Sequence, residues 1–231
     1  MTRHAVARQR GFSLMEMAVV LVIIALIIGG VSVGRDVYRS AVAERIGNQF
    51  IQGWMLAYDR YTAQVGNVPG DNLGDPTGRV NQGASALCRD ELRDEMLRYG
   101  IALPEGRAEG MESRYVYQDT AGLPQELEVC FMAVPDWAEP APGNAYANHP
   151  RNVMRLTGLT PELARQLDVR IDGQVSARFG RVREIGMHNL TSAVSTPPPE
   201  QPWSSDDSAR SNGTTTDGQV RTLGAYLKMN R

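Results

Sequence analysis

The sequence has almost no lysine: of its 24 positively charged residues, 23 are arginine and one, Lys228, is lysine. Because Lys228 stands near the C-terminal end, the chain offers no lysine for a phosphate-binding loop or an internal Schiff base. The formal net charge is −2, and no basic stripe with interleaved aromatic residues occurs. We therefore expect no nucleic-acid partner.

Metal-binding and hydrolytic motifs are missing as well. The three histidines, His4, His149 and His188, are far apart, and no His-Glu-x-x-His or paired Cys-x-x-Cys spacing occurs. The Gly-x-Ser-x-Gly signature of serine hydrolases is also absent. The sequence therefore predicts a protein that is not an enzyme, with no catalytic residues and no cofactor.

One long apolar run is present. From Met17 through Gly34, eighteen consecutive residues carry no charge. At about 1.5 Å per residue this run nearly crosses a hydrocarbon core of roughly 30 Å, and adding residues 12–15 completes the crossing. The run predicts a single membrane-spanning helix.

The charges around the run predict its orientation. Arg3, Arg8 and Arg10 precede it, so the positive-inside rule keeps the N-terminus cytoplasmic and exports everything after Arg35. A cleavable secretory signal would end in an Ala-x-Ala-like site, whereas this run continues into a helical pattern. The expected product is a single-pass inner-membrane protein with a periplasmic body.

Glu16 is the one charged residue inside the apolar segment. An ionised carboxylate at membrane depth is costly and marks a functional site by default. The alternative is that Glu16 merely lies at the level of the lipid headgroups.

The residues around Glu16 read Arg8-Gln9-Arg10-Gly11-Phe12-Ser13-Leu14-Met15-Glu16-Met17. A short basic leader ends in Gly11, Phe12 follows, a glutamate stands at the fifth position after that glycine, and an apolar helix continues. This combination resembles the processing site of type IV prepilins and of the pseudopilins of type II secretion.

The resemblance implies cleavage between Gly11 and Phe12 by a membrane prepilin peptidase, loss of a leader of residues 1–11, and N-methylation of Phe12. It also implies that Glu16 compensates the N-terminal amine of a neighbouring subunit during assembly, because a buried carboxylate needs such a partner. The expected partners are therefore the peptidase, other pilin-like subunits and an inner-membrane assembly platform.

Beyond the apolar run the helical pattern becomes amphipathic, which predicts one helix from about Phe12 to Tyr61. Residues 12–34 form its transmembrane half. Residues 35–62 form an exported half whose apolar face packs on a globular body.

Gly29, Gly30 and Gly34 interrupt the predicted helix. Gly30 and Gly34 form a small-xxx-small pair that lets another helix approach closely. Each glycine also costs roughly 1 kcal/mol of helix propensity. Partial unwinding in an assembled filament, close helix packing and no special role all remain open.

Residues 63–231 combine turn signals with short β-prone segments. They predict an α+β body, similar to the pilin fold, in which a small antiparallel sheet lies on the exported half of the helix. We expect short helices over 84–98 and 160–167, and strands over 113–118, 127–134, one or two within 175–185, and 220–227.

The tract 190–218 is rich in Pro, Ser, Thr, Asp and Gly. This composition predicts a long, flexible polar loop on the body. The tract has little apolar content besides Trp203, which is expected to dock the loop on the body, with an exposed partner contact as the alternative.

Cys88 and Cys130 are the only cysteines, and the predicted topology places both outside the cytoplasm, where thiols are oxidised. We expect a disulfide that ties the helix at 84–98 to the strand at 127–134. Two buried free thiols are the alternative.

Asp71, Asn72 and Asp75 provide oxygen ligands in a glycine-rich loop. Their spacing does not fit a calcium-binding loop, so we interpret them as turn residues that satisfy backbone groups, with calcium as the alternative.

These features predict a structural subunit of a type IV pilus or related filament, which would become extracellular on assembly. A type II secretion pseudopilin is the alternative within that class, and the long polar loop slightly favours a pilus. The alternative from another class is a membrane-anchored periplasmic binding protein that does not polymerise. A filament subunit and a non-polymerising anchored protein differ in their need for Glu16, because a simple membrane anchor has no reason to bury a carboxylate.

Overall fold

The computed structural model describes residues 12–104, 111–143, 145–193, 201–211 and 218–230. The chain divides into two compact units, Met1–Ala41 and Val42–Arg231. The predicted leader, residues 1–11, which includes Gly11, lies outside the described residues.

The chain forms a long N-terminal helix followed by a small antiparallel sheet, which confirms the α+β class. Helical residues run from Leu14 to Val65. The helices are α1 (Leu14–Arg45), a π-helical segment (Ile46–Ile51), α2 (Gln52–Val65), a 3-10 turn (Val80–Gly83), α3 (Arg89–Arg98) and α4 (Pro161–Asp172). The strands are β1 (Leu87–Cys88), β2 (Arg114–Gln118), β3 (Pro124–Ala141), β4 (Ala145–Leu159), β5 (Val182–Glu184) and β6 (Leu223–Lys228).

The first unit is helical from Leu14 onward, and its large apolar side chains are exposed, including Leu14 at 92% and Leu21 at 66%. One 18-residue window of this helix reaches a mean hydropathy of 2.8, and within the described ranges no other helix is long and apolar enough to cross a membrane. Helix α1 continues without interruption through the three glycines. Their unwinding or packing in a filament therefore stays a prediction.

In the second unit, one face of the π-helical segment and α2 packs on the sheet. Phe50, Trp54 and Tyr58 follow one another at intervals of four residues, so they lie on the same side of the helix. The ring centroid of Phe50 lies 5.4 Å from that of Tyr115. The ring centroids of Trp54 and Tyr58 lie 5.9 and 5.0 Å from that of Phe131. All three helix side chains are fully buried, and each contributes roughly 1.5–3 kcal/mol through the area it removes from water.

The sheet is antiparallel with strand order β1-β3-β4-β6-β5, and β2 also pairs with β3. Strand β3 is far longer than the predicted 127–134, and β4 was not predicted at all. The β4 sequence contains Asn148, Pro150 and Asn152, which are residues typical of turns. Pairing with β3 overrides that local preference, and Pro150 is tolerated because β6 pairs with β4 only from Val153 onward.

The helix boundaries also differ from the predictions. Helix α3 begins at Arg89 rather than at 84, because Leu87 and Cys88 pair with β3 as strand β1. Helix α4 begins where predicted, with the Thr160 hydroxyl accepting a hydrogen bond from the Leu163 amide at 3.4 Å, but continues to Asp172. Of the segment 175–185, only Val182–Glu184 is a strand.

Gly158 marks an irregularity in β4, between Thr157 and Leu159, where the register with β6 shifts. Its φ is +82°, and a Cβ at this position would overlap the carbonyl oxygen of Glu126. We expect Gly158→Ala to lower the free energy of unfolding by about 3 kcal/mol or more, measured by urea unfolding of the detergent-solubilised chain.

Gly66→Ala is the matched control for this change. Gly66 has a φ of +81° at the C-terminal cap of α2, and a Cβ at this position would meet no atom within 4 Å. It should lose only about 1 kcal/mol, the cost of the left-handed conformation alone. Equal losses in the two variants would show that the contact with Glu126 contributes nothing.

Candidate functional site

Helix α1 begins with a reciprocal pair of hydrogen bonds between Ser13 and Glu16. The Ser13 hydroxyl accepts from the Glu16 backbone amide at 3.2 Å, and Glu16 Oε2 accepts from the Ser13 backbone amide at 2.8 Å. This arrangement is a capping box, which satisfies two backbone donors that the first helical turn cannot use. It was not predicted, although the Ser-x-x-Glu spacing before an apolar run is its usual signature.

The capping box holds the Glu16 carboxylate at the N-terminal turn of α1. One oxygen is held by the Ser13 backbone, and the negative charge lies at the positive end of the helix dipole. In the described parts of the chain no positively charged side chain pairs with this carboxylate. Because Glu16 is exposed in an apolar segment, placing that segment in lipid would leave a charge in need of a positive partner.

Phe12 lies at the start of the same segment with 81% of its surface exposed. A cut before Phe12 would place a new amine on the residue next to Ser13, at the N-terminal turn of α1. The first turn would then carry that amine in addition to the partial positive charge of its unpaired backbone amides. Glu16 is the one acidic residue of the first turn.

The predicted cysteine pair is present as a disulfide. Cys88 and Cys130 are bonded, with their Cα atoms 4.5 Å apart. The bridge joins β1 to β3, where the two residues face each other directly, so the prediction that it ties a helix to a strand was wrong. Arg155 Nη2 lies 3.5 and 3.4 Å from the two sulfur atoms.

In the loop that follows α2, the Asp71 carboxylate is used by the loop itself. It accepts hydrogen bonds from Asn72 N at 2.9 Å, Thr77 N at 3.2 Å, Thr77 Oγ1 at 2.8 Å and Gly78 N at 2.7 Å. Burial raises the pKa of Asp71, but these bonds outweigh it and hold the pKa below its ordinary value. The geometry matches the turn interpretation.

Asn72 acts in the same way, because its side-chain oxygen accepts from the Gly74 amide at 2.9 Å. Over the described ranges, no group of three or more His, Cys, Asp or Glu side chains is placed to hold a metal ion. The calcium alternative stays a prediction.

Trp203 docks on the body, as predicted. Only 5% of its surface is exposed, and its indole Nε1 donates to Asp168 Oδ2 at 3.1 Å. Asp168 lies on α4, 35 residues earlier in the sequence. The docking was predicted from Trp203 itself. Its acceptor lies far away in the sequence and was not predictable.

The comparisons with known proteins concern the N-terminal segment alone. Residues 6–32 match the family model described as the prokaryotic N-terminal methylation motif. No curated protein and no solved structure matches the chain. The matched segment contains Gly11, Phe12 and Glu16, and the match is consistent with a type IV pilin-like or pseudopilin protein.

Proposed function

We propose that this chain is a structural subunit of a type IV pilus or a related filament. A prepilin peptidase would cut it between Gly11 and Phe12, a methyl group would be added to Phe12, and the N-terminal helix would carry assembly. The observation that carries the proposal is Glu16, an acid inside an exposed apolar helix and inside the matched methylation motif.

Two features of α1 support this proposal, its exposed apolar side chains and the charges at its N-terminal end. The apolar side chains of the first unit are exposed, so they need lipid before assembly or other helices after it. At the N-terminal end, the methylated amine of one subunit and the Glu16 carboxylate of its neighbour would neutralise each other in a medium of low dielectric. Removing either charge would leave the other unpaired and costly.

A type II secretion pseudopilin would use the same helix and the same charge pair. We still propose the pilus first, because a long polar surface segment suits an exposed fibre better than a secretion pseudopilus. In either assembly the partners would be the peptidase, other pilin-like subunits and an inner-membrane platform. The body would lie in the periplasm before assembly.

We expect processing to shorten the 231-residue chain to 220 residues. The leader takes three arginines and no acid with it, so the formal net charge moves from −2 to −5. Intact-mass analysis of membrane-extracted protein should show an N-terminal Phe12 that carries one methyl group.

Gly11→Val is the variant that tests the cut itself. A β-branched side chain crowds the scissile backbone that glycine leaves open, so the leader should remain attached. Gln9→Ala, two residues earlier, should be processed normally. A parental chain that still begins at Met1 in cells with the peptidase, or that is cut after Gly34, would contradict the assignment.

A further inference from the structure

Residues 201–211, a described part of the polar tract, lie on the body as a segment that we call the Trp203 strap. Its backbone and side chains bond to three separate elements. The Ala177 amide donates to the Gln201 carbonyl at 2.8 Å, the Ser204 amide to Glu184 at 2.8 Å, and the Glu162 amide to Asp207 at 2.8 Å. The Trp203 indole is the fourth anchor, and its acceptor is Asp168.

Asp168 is an unusual acceptor because it is fully buried, with 0% of its surface exposed. Its Oδ2 accepts from the Ser176 amide at 2.7 Å and from the Trp203 indole at 3.1 Å. Its Oδ1 is buried and accepts no hydrogen bond in the described residues. An ionised carboxylate with one oxygen left dry is costly, whereas a protonated one can use that oxygen as a donor.

A second carboxylate provides the acceptor for that proton. Asp172 stands four residues later on α4, so both side chains lie on one face of the helix. Asp172 Oδ2 already accepts from the amides of Arg181 and Val182, each at 2.8 Å. Asp172 is therefore placed to accept a hydrogen bond from a protonated Asp168.

The other charged groups around the pair agree with this assignment. Arg183 on β5 interacts with Asp172, and Glu184 on β5 accepts hydrogen bonds from the amide and hydroxyl of Ser204, the residue after Trp203. Within the described residues, no Arg, Lys or His side chain forms an ion pair with Asp168. Burial, together with the charge of Asp172, raises the pKa of Asp168 to about 7.

We propose that the buried Asp168 carboxyl holds a proton, which it donates in a hydrogen bond to Asp172, and that loss of this proton above neutral pH releases the Trp203 strap from α4. The O–H bond of the Asp168 carboxyl breaks, and the proton passes to solvent water or hydroxide. The buried Asp168 carboxylate then lies one helical turn from the half-buried carboxylate of Asp172. Although ionisation strengthens the bonds from Ser176 and Trp203, desolvation and repulsion oppose it more strongly.

The strap is the element that opens because it covers Asp168 without belonging to the sheet. Asp168 lies on α4 and also accepts from the Ser176 amide in the loop that follows, and α4 is anchored to the core by Leu163, Ala164 and Leu167. Moving the indole of Trp203, which packs in the same core and bonds to Asp168, admits water to the carboxylate. The strap therefore responds to pH while the helix and the sheet stay in place.

The sign follows from the direction of the pKa shift. The pKa of Asp168 is higher in the folded body than in an unfolded chain, so the folded form holds the extra proton between about pH 4 and pH 7. Strap docking is therefore strongest at the acid end of this window and weakens as pH rises through 7. If the body is exported, as the proposed function has it, this is the range of a medium in contact with the cell surface.

Hydrogen–deuterium exchange of the full chain in detergent micelles tests the proposal. Protection factors, corrected for the intrinsic pH dependence of exchange, are compared at pH 6 and pH 8.5. We expect the protection of the strap and of Ser176 to fall by about tenfold or more across this range. The protection of α2 should stay constant.

Two variants make the assignment specific. Asp168→Asn keeps an acceptor for Ser176 and Trp203 and supplies a donor to Asp172, so its strap should be protected equally at both pH values. Asp207→Asn removes a different carboxylate of the same strap, 17% exposed, and should retain the parental pH response. Constant strap protection in the parental chain would overturn the proposal. So would a pH response that persists in Asp168→Asn, or an equal loss over α2. The purified chain needs no filament for this test, so a failure of the proposed function leaves it unaffected.

Discussion

Glu16→Ala is expected to yield a processed, membrane-held and disulfide-bonded subunit that is missing from sheared filaments or from the secretion complex. The reason is electrostatic. The amine of an incoming subunit would enter an apolar setting without a carboxylate to pair with, a loss of several kcal/mol. The body should fold normally, since Glu16 lies in the first unit and bonds only with Ser13 among the described residues. Because the change makes the anchor more apolar, membrane retention should persist or improve.

The capping box makes two further variants informative. Glutamine can replace glutamate as the partner of Ser13 in a capping box, so Glu16→Gln keeps the start of α1 and removes only the charge. Ser13→Ala does the reverse, because it loses one cap hydrogen bond, worth about 1 kcal/mol, and keeps the carboxylate. We expect Glu16→Gln to fail in assembly and Ser13→Ala to assemble.

The measurement is the amount of subunit in sheared filaments relative to the amount in membranes, by quantitative immunoblot. Assembly of Glu16→Gln at the parental level, with failure of Ser13→Ala, would assign Glu16 to helix capping alone. Assembly of both Glu16 variants at that level would contradict the filament proposal in its central claim. A parental chain that stays monomeric beside matching assembly machinery would instead favour the non-polymerising anchor.

The fold was predictable where the sequence carries its own local signal. The apolar run and the Gly11–Phe12 junction needed no tertiary information. The start of α4 was equally local, because Thr160 is a good cap and Pro161 fits the first helical turn. The aromatic face of α2 followed from helical spacing.

Elements that depend on pairing were not predictable from local sequence. Strand β4 contains turn-type residues such as Asn148 and Pro150, and its extended form comes from registering with β3. Cys88 was assigned to a helix because residues 84–98 are charged and weakly amphipathic, yet opposite Cys130 it belongs to a strand. Local propensity gives way where a cross-strand partner is available.

The candidate site divides in the same way. Glu16 was identified from its cost in an apolar segment, and its partner Ser13 was within reach of a spacing rule for helix starts. The environment of Asp168 was not accessible from sequence, because its burial depends on Trp203, which arrives from a distant tract. An aspartate on an amphipathic helix is ordinarily solvated.

The disulfide is expected to have a large effect on the stability of the body. Cys88 and Cys130 are separated by 42 positions in the sequence, and closing a loop of this size contributes roughly 4 kcal/mol of chain entropy. The double variant Cys88→Ala/Cys130→Ala uses alanine rather than serine. Cys130 is fully buried, and a serine hydroxyl at that position would be left without a hydrogen-bond partner. We expect its free energy of unfolding to fall by about 2–5 kcal/mol in urea.

The structure predicts where that loss appears first. Strand β1 has only two residues, and both pair with β3. Without the bridge, β1 and the first turn of α3 are held mainly by the packing of Leu92 and Met96 in the core. Hydrogen exchange in the double variant should therefore rise most in residues 84–104 and least in β4, which is paired on both sides over much of its length.

Reduction of the parental chain supplies the control, because it breaks the same bond without changing the sequence. Dithiothreitol should lower the stability of the parental chain toward that of the double variant and leave the variant unchanged. A variant that unfolds at the parental urea concentration would show that the bridge is not a stabilising element. Peptide mapping in which both thiols are alkylated without a reductant would show that the disulfide is absent from the protein in the cell. In that case Arg155, whose Nη2 lies within 3.5 Å of both sulfurs, would face two thiols, and β1 would depend on its backbone hydrogen bonds to β3 and on the packing of Leu87 in the core.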